Sequence, residues 1–159
     1  MPGALLFSTC LLITLQSSVA GTLDPEDLQT LLKTLEAPGA TEPPRIIQDS
    51  DGFIRFLGAP PDGYFETITT QTKSTLNHPE AVDQEFVDRN AGAFGLQSFQ
   101  NALDPSKTHV REGRSYVHLK QAYAGVTVFG AEIMVQLDSA GGVRAVLSDL
   151  MLDTERLDT

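Results

Sequence analysis

The sequence predicts an α+β domain in which a helix packs on an antiparallel β-meander, with a short helix and a linker ahead of it. Two observations carry this reading. Apolar residues alternate at period two from Ser115 to Leu150, interrupted by two glycine-bearing turns. Upstream, Val82, Phe86, Val87, Asn90 and Phe94 recur at helical spacing behind Asn77-His78-Pro79-Glu80, a polar cap with proline at the first turn.

Within the meander, Val117, Leu119, Gln121 and Tyr123 fall on one face of the first strand, and Tyr116, His118, Lys120 and Ala122 on the other. Ala124-Gly125 supplies the turn, because glycine adopts positive φ without steric cost. On the returning strand, Val126 to Leu137, the residues Ala131, Ile133, Val135 and Leu137 are in phase. Val126 and Val128 have the opposite parity, so a bulge is expected at Phe129-Gly130. Ser139-Ala140-Gly141-Gly142 then turns the chain into a third strand, Val143 to Leu150. The stretch from Leu96 to Arg114 is polar and turn-rich and reads mostly as loop.

Upstream elements are shorter. Asp24-Pro25-Glu26-Asp27 reads as a helix start, and Leu28, Leu31, Leu32 and Leu35 give that helix one apolar face. Pro38 and Gly39 stop it, and a linker runs to Pro44. Ile46 to Leu57 reads as a strand or a short hairpin around Asp49-Ser50-Asp51-Gly52, ended by Gly58 to Gly63. Gly92 and Gly95 weaken the end of the second helix.

Charge narrows the partners. The 159 residues carry 21 acidic and 11 basic side chains, a net charge of -10, which repels nucleic-acid phosphates and anionic lipid headgroups. The sequence holds no Lys/Arg cluster denser than Arg111, Arg114 and Lys120, so nucleic acid is not an expected partner. A basic partner surface fits the overall charge better.

The first twenty residues contain no charged side chain. Leu5 to Leu15 has the length of a signal-peptide core, short of the roughly 20 residues that span a bilayer. Ser18 and Ala20 are small residues suited to signal peptidase, which places cleavage before Gly21. Residues 1–20 are therefore expected to be a signal peptide, 21–45 a short helix and proline-rich linker, and 46–159 the α+β domain. The product is expected to be secreted or periplasmic, with no membrane attachment after signal cleavage. Cys10 leaves with the signal peptide, so disulfides, thiolate catalysis and cysteine zinc sites are not expected.

No standard catalytic set assembles from the sequence. His78, His109 and His118 form no H-E-x-x-H pair, which would put two imidazoles on one helical face. The chain has no G-x-S-x-G elbow and no phosphate-binding G-x-x-x-x-G-K loop. His78 reads as a capping or solvated residue rather than a metal ligand, and His118 as solvent-facing. Asp24 with Asp27 and Asp83 with Glu85 read as helix-terminus charges rather than catalytic dyads. Asp49, Asp51 and Gly52 resemble the start of a calcium loop, but the remaining ligands do not follow, so the segment reads as a turn. No enzyme activity, cofactor or metal is expected.

One segment is distinctive: Gln121-Ala122-Tyr123-Ala124-Gly125-Val126-Thr127-Val128-Phe129-Gly130-Ala131-Glu132. It resembles the propeptide (FTP) domain of fungalysin- and thermolysin-type metallopeptidases, with its Q-x-Y-x-G-V-P-V-aromatic-G-small core. Thr127 stands where that family usually has proline. The helix ending in Phe94-Gly95-Leu96 resembles the helix ahead of the hairpin in the family, so the resemblance covers 79–150.

The resemblance implies a propeptide- or cystatin-like fold. It also implies a non-catalytic module that docks on a metallopeptidase catalytic domain in cis or in trans, blocks it and assists its folding. The chain would then be a fragment or truncated form of a longer precursor. The docking hairpin implied is Gln121, Tyr123, Gly125, Val126, Val128, Phe129, Gly130, Ala131 and Glu132. Tyr123, Gly125, Phe129 and Gly130 equally suit a purely structural hairpin and bulge. The competing reading is a stand-alone exported interaction module unrelated to peptidases.

Overall fold

A computed structural model describes residues 25–33, 35–36, 42–65, 78–96 and 101–152. The expected signal peptide, Asp24 and most of the expected linker lie outside them.

The described elements are, in order, helix α1 (Pro25–Leu32), strands β1 (Leu35–Glu36), β2 (Arg45–Gln48), β3 (Ile54–Gly58) and β4 (Tyr64–Phe65), helix α2 (Pro79–Arg89), a 3-10 turn (Ala91–Phe94), and strands β5 (Asn101–Arg111), β6 (Arg114–Tyr123), β7 (Val126–Leu137) and β8 (Val143–Asp149). They form an α+β fold built on one eight-stranded antiparallel sheet. Its main path runs β1-β4-β8-β7-β6-β5, and β3, carrying β2 on its far side, also pairs with β8.

The helices begin where the sequence places them. Pro25 and Pro79 stand at first-turn positions, where the missing N–H costs nothing. On α2, Val82, Phe86 and Val87 are buried, as are Asn90 and Phe94 beyond its end. The apolar members of this set share one core with Val117 and Leu119 of β6 and Ile133 and Val135 of β7, each fully buried. On α1, Leu31 is fully buried and Leu28 packs against the same core. Leu35, expected on the helix face, belongs instead to β1 and pairs with Phe65. The helix ends at Leu32, so the apolar spacing outruns it.

The Asp49 turn makes the Ile46 to Leu57 segment a hairpin. Asp49 Oδ1 accepts from the N–H groups of Asp51 and Phe53, both at 3.0 Å, and Gly52 takes φ 89°. Asp49 Oδ2 is held by Arg55 at 3.0 Å. The carboxylate is therefore committed to the turn.

The expected loop between Leu96 and Arg114 is mostly strand. β5 pairs with β6 from Asn101↔Tyr123 to Arg111↔Arg114, with a bulge between Pro105 and Lys107. Its residues beyond Leu103 are exposed, so no alternation marked it in the sequence. The three-stranded meander thus gains a fourth strand, and β3 and β4 extend it on the β8 side.

Candidate docking surface

The β6–β7 hairpin turns at Ala124-Gly125, where φ is 49° and 81° and Tyr123 faces Val126 in register. Positive φ at both central positions matches the twist of a two-residue hairpin. Pairing then breaks: Ala122 aligns with Thr127, and the next aligned pair is Lys120 with Glu132. Residues 128–131 of β7 therefore lie opposite Gln121 alone. This is the expected bulge at Phe129-Gly130, longer than a single added residue, and Gly130 takes φ 79° within it.

The bulge sorts its side chains. Val128 and Ala131 turn inward onto Tyr123 and form a small apolar cluster separate from the main core. Phe129 is 100% exposed and Val126 57%. Ala122, whose parity puts it on the face opposite Gln121 and Tyr123, is also buried. Glu132 restarts the pairing, and its carboxylate lies 3.4 Å from His118 Nδ1. His118, expected to face solvent, is thus half-buried beside an acid and stacks edge-on to His109 at 6.0 Å.

Gln121 is fully buried. Its Nε2 donates to Asn101 Oδ1 and to the Met151 carbonyl, each at 2.9 Å, while its Oε1 accepts from Met151 N–H at 2.9 Å. The hairpin residues named from the sequence therefore divide in two. Gln121, Tyr123, Val128 and Ala131 face inward; Gly125, Val126, Phe129 and Gly130 are exposed at the tip, with Glu132 half-exposed behind them.

Among the described residues, no group of three or more His, Cys, Asp or Glu side chains could hold a metal ion. Among them too, no helix is long and apolar enough to cross a membrane. His78 makes no capping bond through its side chain and lies 3.5 Å from Glu80. Asp27 rests against Gly92.

Asp83 departs from the sequence reading as a helix-terminus charge. It is fully buried, and neither carboxylate oxygen is hydrogen-bonded among the described residues. Burial, followed by repulsion from Glu80, pushes its carboxyl up to about 9. Its partner in that reading, Glu85, instead pairs with Arg89 at 3.0 Å, one turn along the helix. The signal was present in the spacing: Asp83 is three and four residues before Phe86 and Val87, on the buried face.

Residues 103–150 match the family model described as the Fungalysin/Thermolysin Propeptide Motif. The match runs from β5 to the residue after β8, and α2 lies ahead of it. No curated protein and no solved structure matches the chain.

Proposed function

We propose that the chain is a non-catalytic propeptide module that docks on a thermolysin- or fungalysin-type zinc metallopeptidase, in cis or in trans, inhibits it and assists its folding. The observation that carries this reading is the coincidence of the propeptide motif with an exposed apolar tip. Residues 103–150 hold both the motif and Phe129, an aromatic side chain left wholly in solvent. Exposed aromatics on fixed frames are favoured anchors at interfaces, because little side-chain entropy is lost on docking.

The frame suits that role. The Gln121 bonds and the Tyr123, Val128 and Ala131 cluster hold the base of the bulge, and the core that α2 shares with β6 and β7 supports reading the domain as propeptide- or cystatin-like. In this reading the inward residues of the motif position the tip, and Val126 and Phe129 make the contact. Residues 1–20 would direct the product to the secretory or periplasmic route, and 46–159 would form the docking domain.

The test is inhibition of a panel of thermolysin-type and fungalysin-type peptidases by the purified protein. Slowed hydrolysis that is lost in Val126→Ala/Phe129→Ala, with the fold intact by circular dichroism, supports the reading. Absence of inhibition across the panel, together with capture of non-peptidase partners only, would favour an unrelated interaction module.

A further inference from the structure

The sheet has two unequal faces. One is covered by helices and holds Val117, Leu119, Ile133, Val135 and Val146, all fully buried. Among the described residues, no helix covers the centre of the opposite face. Strand register lines up Ile47 with Phe56, Phe56 with Leu147, Leu147 with Met134, Met134 with His118, and His118 with Lys107. This row crosses the sheet from β2 to β5. Its first four members are apolar, with Ile47 45% and Leu147 44% exposed.

The charge of this face opposes that of the chain. By register and strand parity it carries Arg45, Lys107, Arg111, Arg114 and Lys120 against Asp104, Glu132 and Asp149. The whole sequence has 11 basic and 21 acidic side chains. Four of these five basic residues, all but Arg45 on β2, lie on β5 and β6, where the row of apolar residues finishes; there Lys120 aligns with Asp104 and Glu132, and Arg111 lies 3.5 Å from Glu112 in the turn. Register also joins the face to the hairpin tip, because Lys120, Glu132 and Asp149 form the first aligned row beyond the Phe129 bulge.

The adjacent sheet edge is poorly suited to docking. Pro105 lacks an N–H, and the bulge at Ser106 turns that residue's hydroxyl onto the His118 carbonyl at 3.1 Å. Proline, a bulge and lysine are the devices by which edge strands avoid pairing with another chain.

From these observations we infer that the open sheet face, not the β5 edge, is the main contact surface for the partner, and that the partner presents an acidic protein surface with an apolar centre. A second copy of this chain does not satisfy the pattern, since two such faces would bring their basic ends into repulsion or set basic against apolar. The inference rests on the docking reading above and adds the face used and the chemistry of the surface it meets.

Binding of the purified protein to thermolysin-type and fungalysin-type catalytic domains, measured by calorimetry across a sodium chloride series, tests it. Two variants are compared with wild type: Lys107→Gln/Arg114→Gln/Lys120→Gln, and Leu147→Glu, which lies on β8, away from the basic end. Urea denaturation and circular dichroism establish that each is folded. The expected result is affinity that falls with salt, a shallower salt dependence in the triple variant, and about tenfold weaker binding in each variant at low salt. Wild-type binding with both variants within about twofold of it, or binding insensitive to salt, overturns the inference while leaving the docking reading intact. Failure of wild type to bind any enzyme overturns both. Binding of inorganic polyphosphate as tight as that of any catalytic domain would reveal a general anion site and also overturn the inference.

Discussion

Gln121 and Met151 are joined by two hydrogen bonds of 2.9 Å, the side-chain amide taking the place of a strand partner for the backbone that leaves β8. The same amide reaches Asn101 at the start of β5, and Arg55 Nη1 holds the neighbouring Leu150 carbonyl at 2.8 Å. One side chain opposite the bulge thus ties together the start of β5, the middle of the hairpin and the exit of the sheet.

Gln121→Ala is expected to lower stability by on the order of 3 kcal/mol, because it removes three hydrogen bonds made by a fully buried side chain and leaves a cavity where that side chain packed. Urea unfolding measures this. Gln121→Glu is expected to be no better, since it loses the donor to the Met151 carbonyl and buries a charge. A midpoint unchanged in both variants would show that the clamp contributes nothing.

The sequence made the meander legible because β6, β7 and β8 each bury one face, so their alternation is strong. It also located the bulge, through the switch in parity between Val128 and Ala131. β5 was hidden for the converse reason: an exposed edge strand has no buried face to impose a period, and Pro105 reads as a breaker. The open face was hidden because Ile47, Phe56, Met134 and Leu147 come from four strands and meet only through register. Motif recognition found the hairpin but could not separate Gln121, which faces inward, from Phe129, which does not.

Phe129→Ala is expected to leave stability in urea within about 0.5 kcal/mol of wild type, because the ring touches solvent alone. Val128→Ala, one residue away, is expected to cost about 1.5 kcal/mol, since Val128 is 8% exposed and packs on Tyr123 and Ala131. Equal effects at the two positions would contradict the sorting of side chains across the bulge.

Gly142 and Gly130 should respond to alanine for different reasons. A Cβ at Gly142 would come within 2.8 Å of the Tyr64 ring, so that residue must move and loosen β4 from β8. A Cβ at Gly130 meets nothing within 4 Å among the described residues, and the cost there is the positive φ alone, about 1 kcal/mol. Tyrosine fluorescence and urea titration separate the two: Gly142→Ala should perturb both, and Gly130→Ala only the midpoint.

Asp83 gives stability a pH dependence whose sign is fixed by burial. Its carboxyl is raised from 3.8 to about 9, so the folded chain keeps a proton that the unfolded chain releases above the lower value. The stabilisation from this site is complete below pH 3.8 and is lost as pH rises towards 9, by at most about 1.4 kcal/mol per pH unit. Urea midpoints taken between pH 5 and 8 should therefore fall with pH in wild type more than in Asp83→Asn, which has no proton to lose. At pH 8 the variant should be the more stable of the two, because it buries a neutral amide where the wild type must retain an acidic proton. Parallel pH profiles for the two proteins would show that the Asp83 carboxyl titrates alike in the folded and unfolded chains.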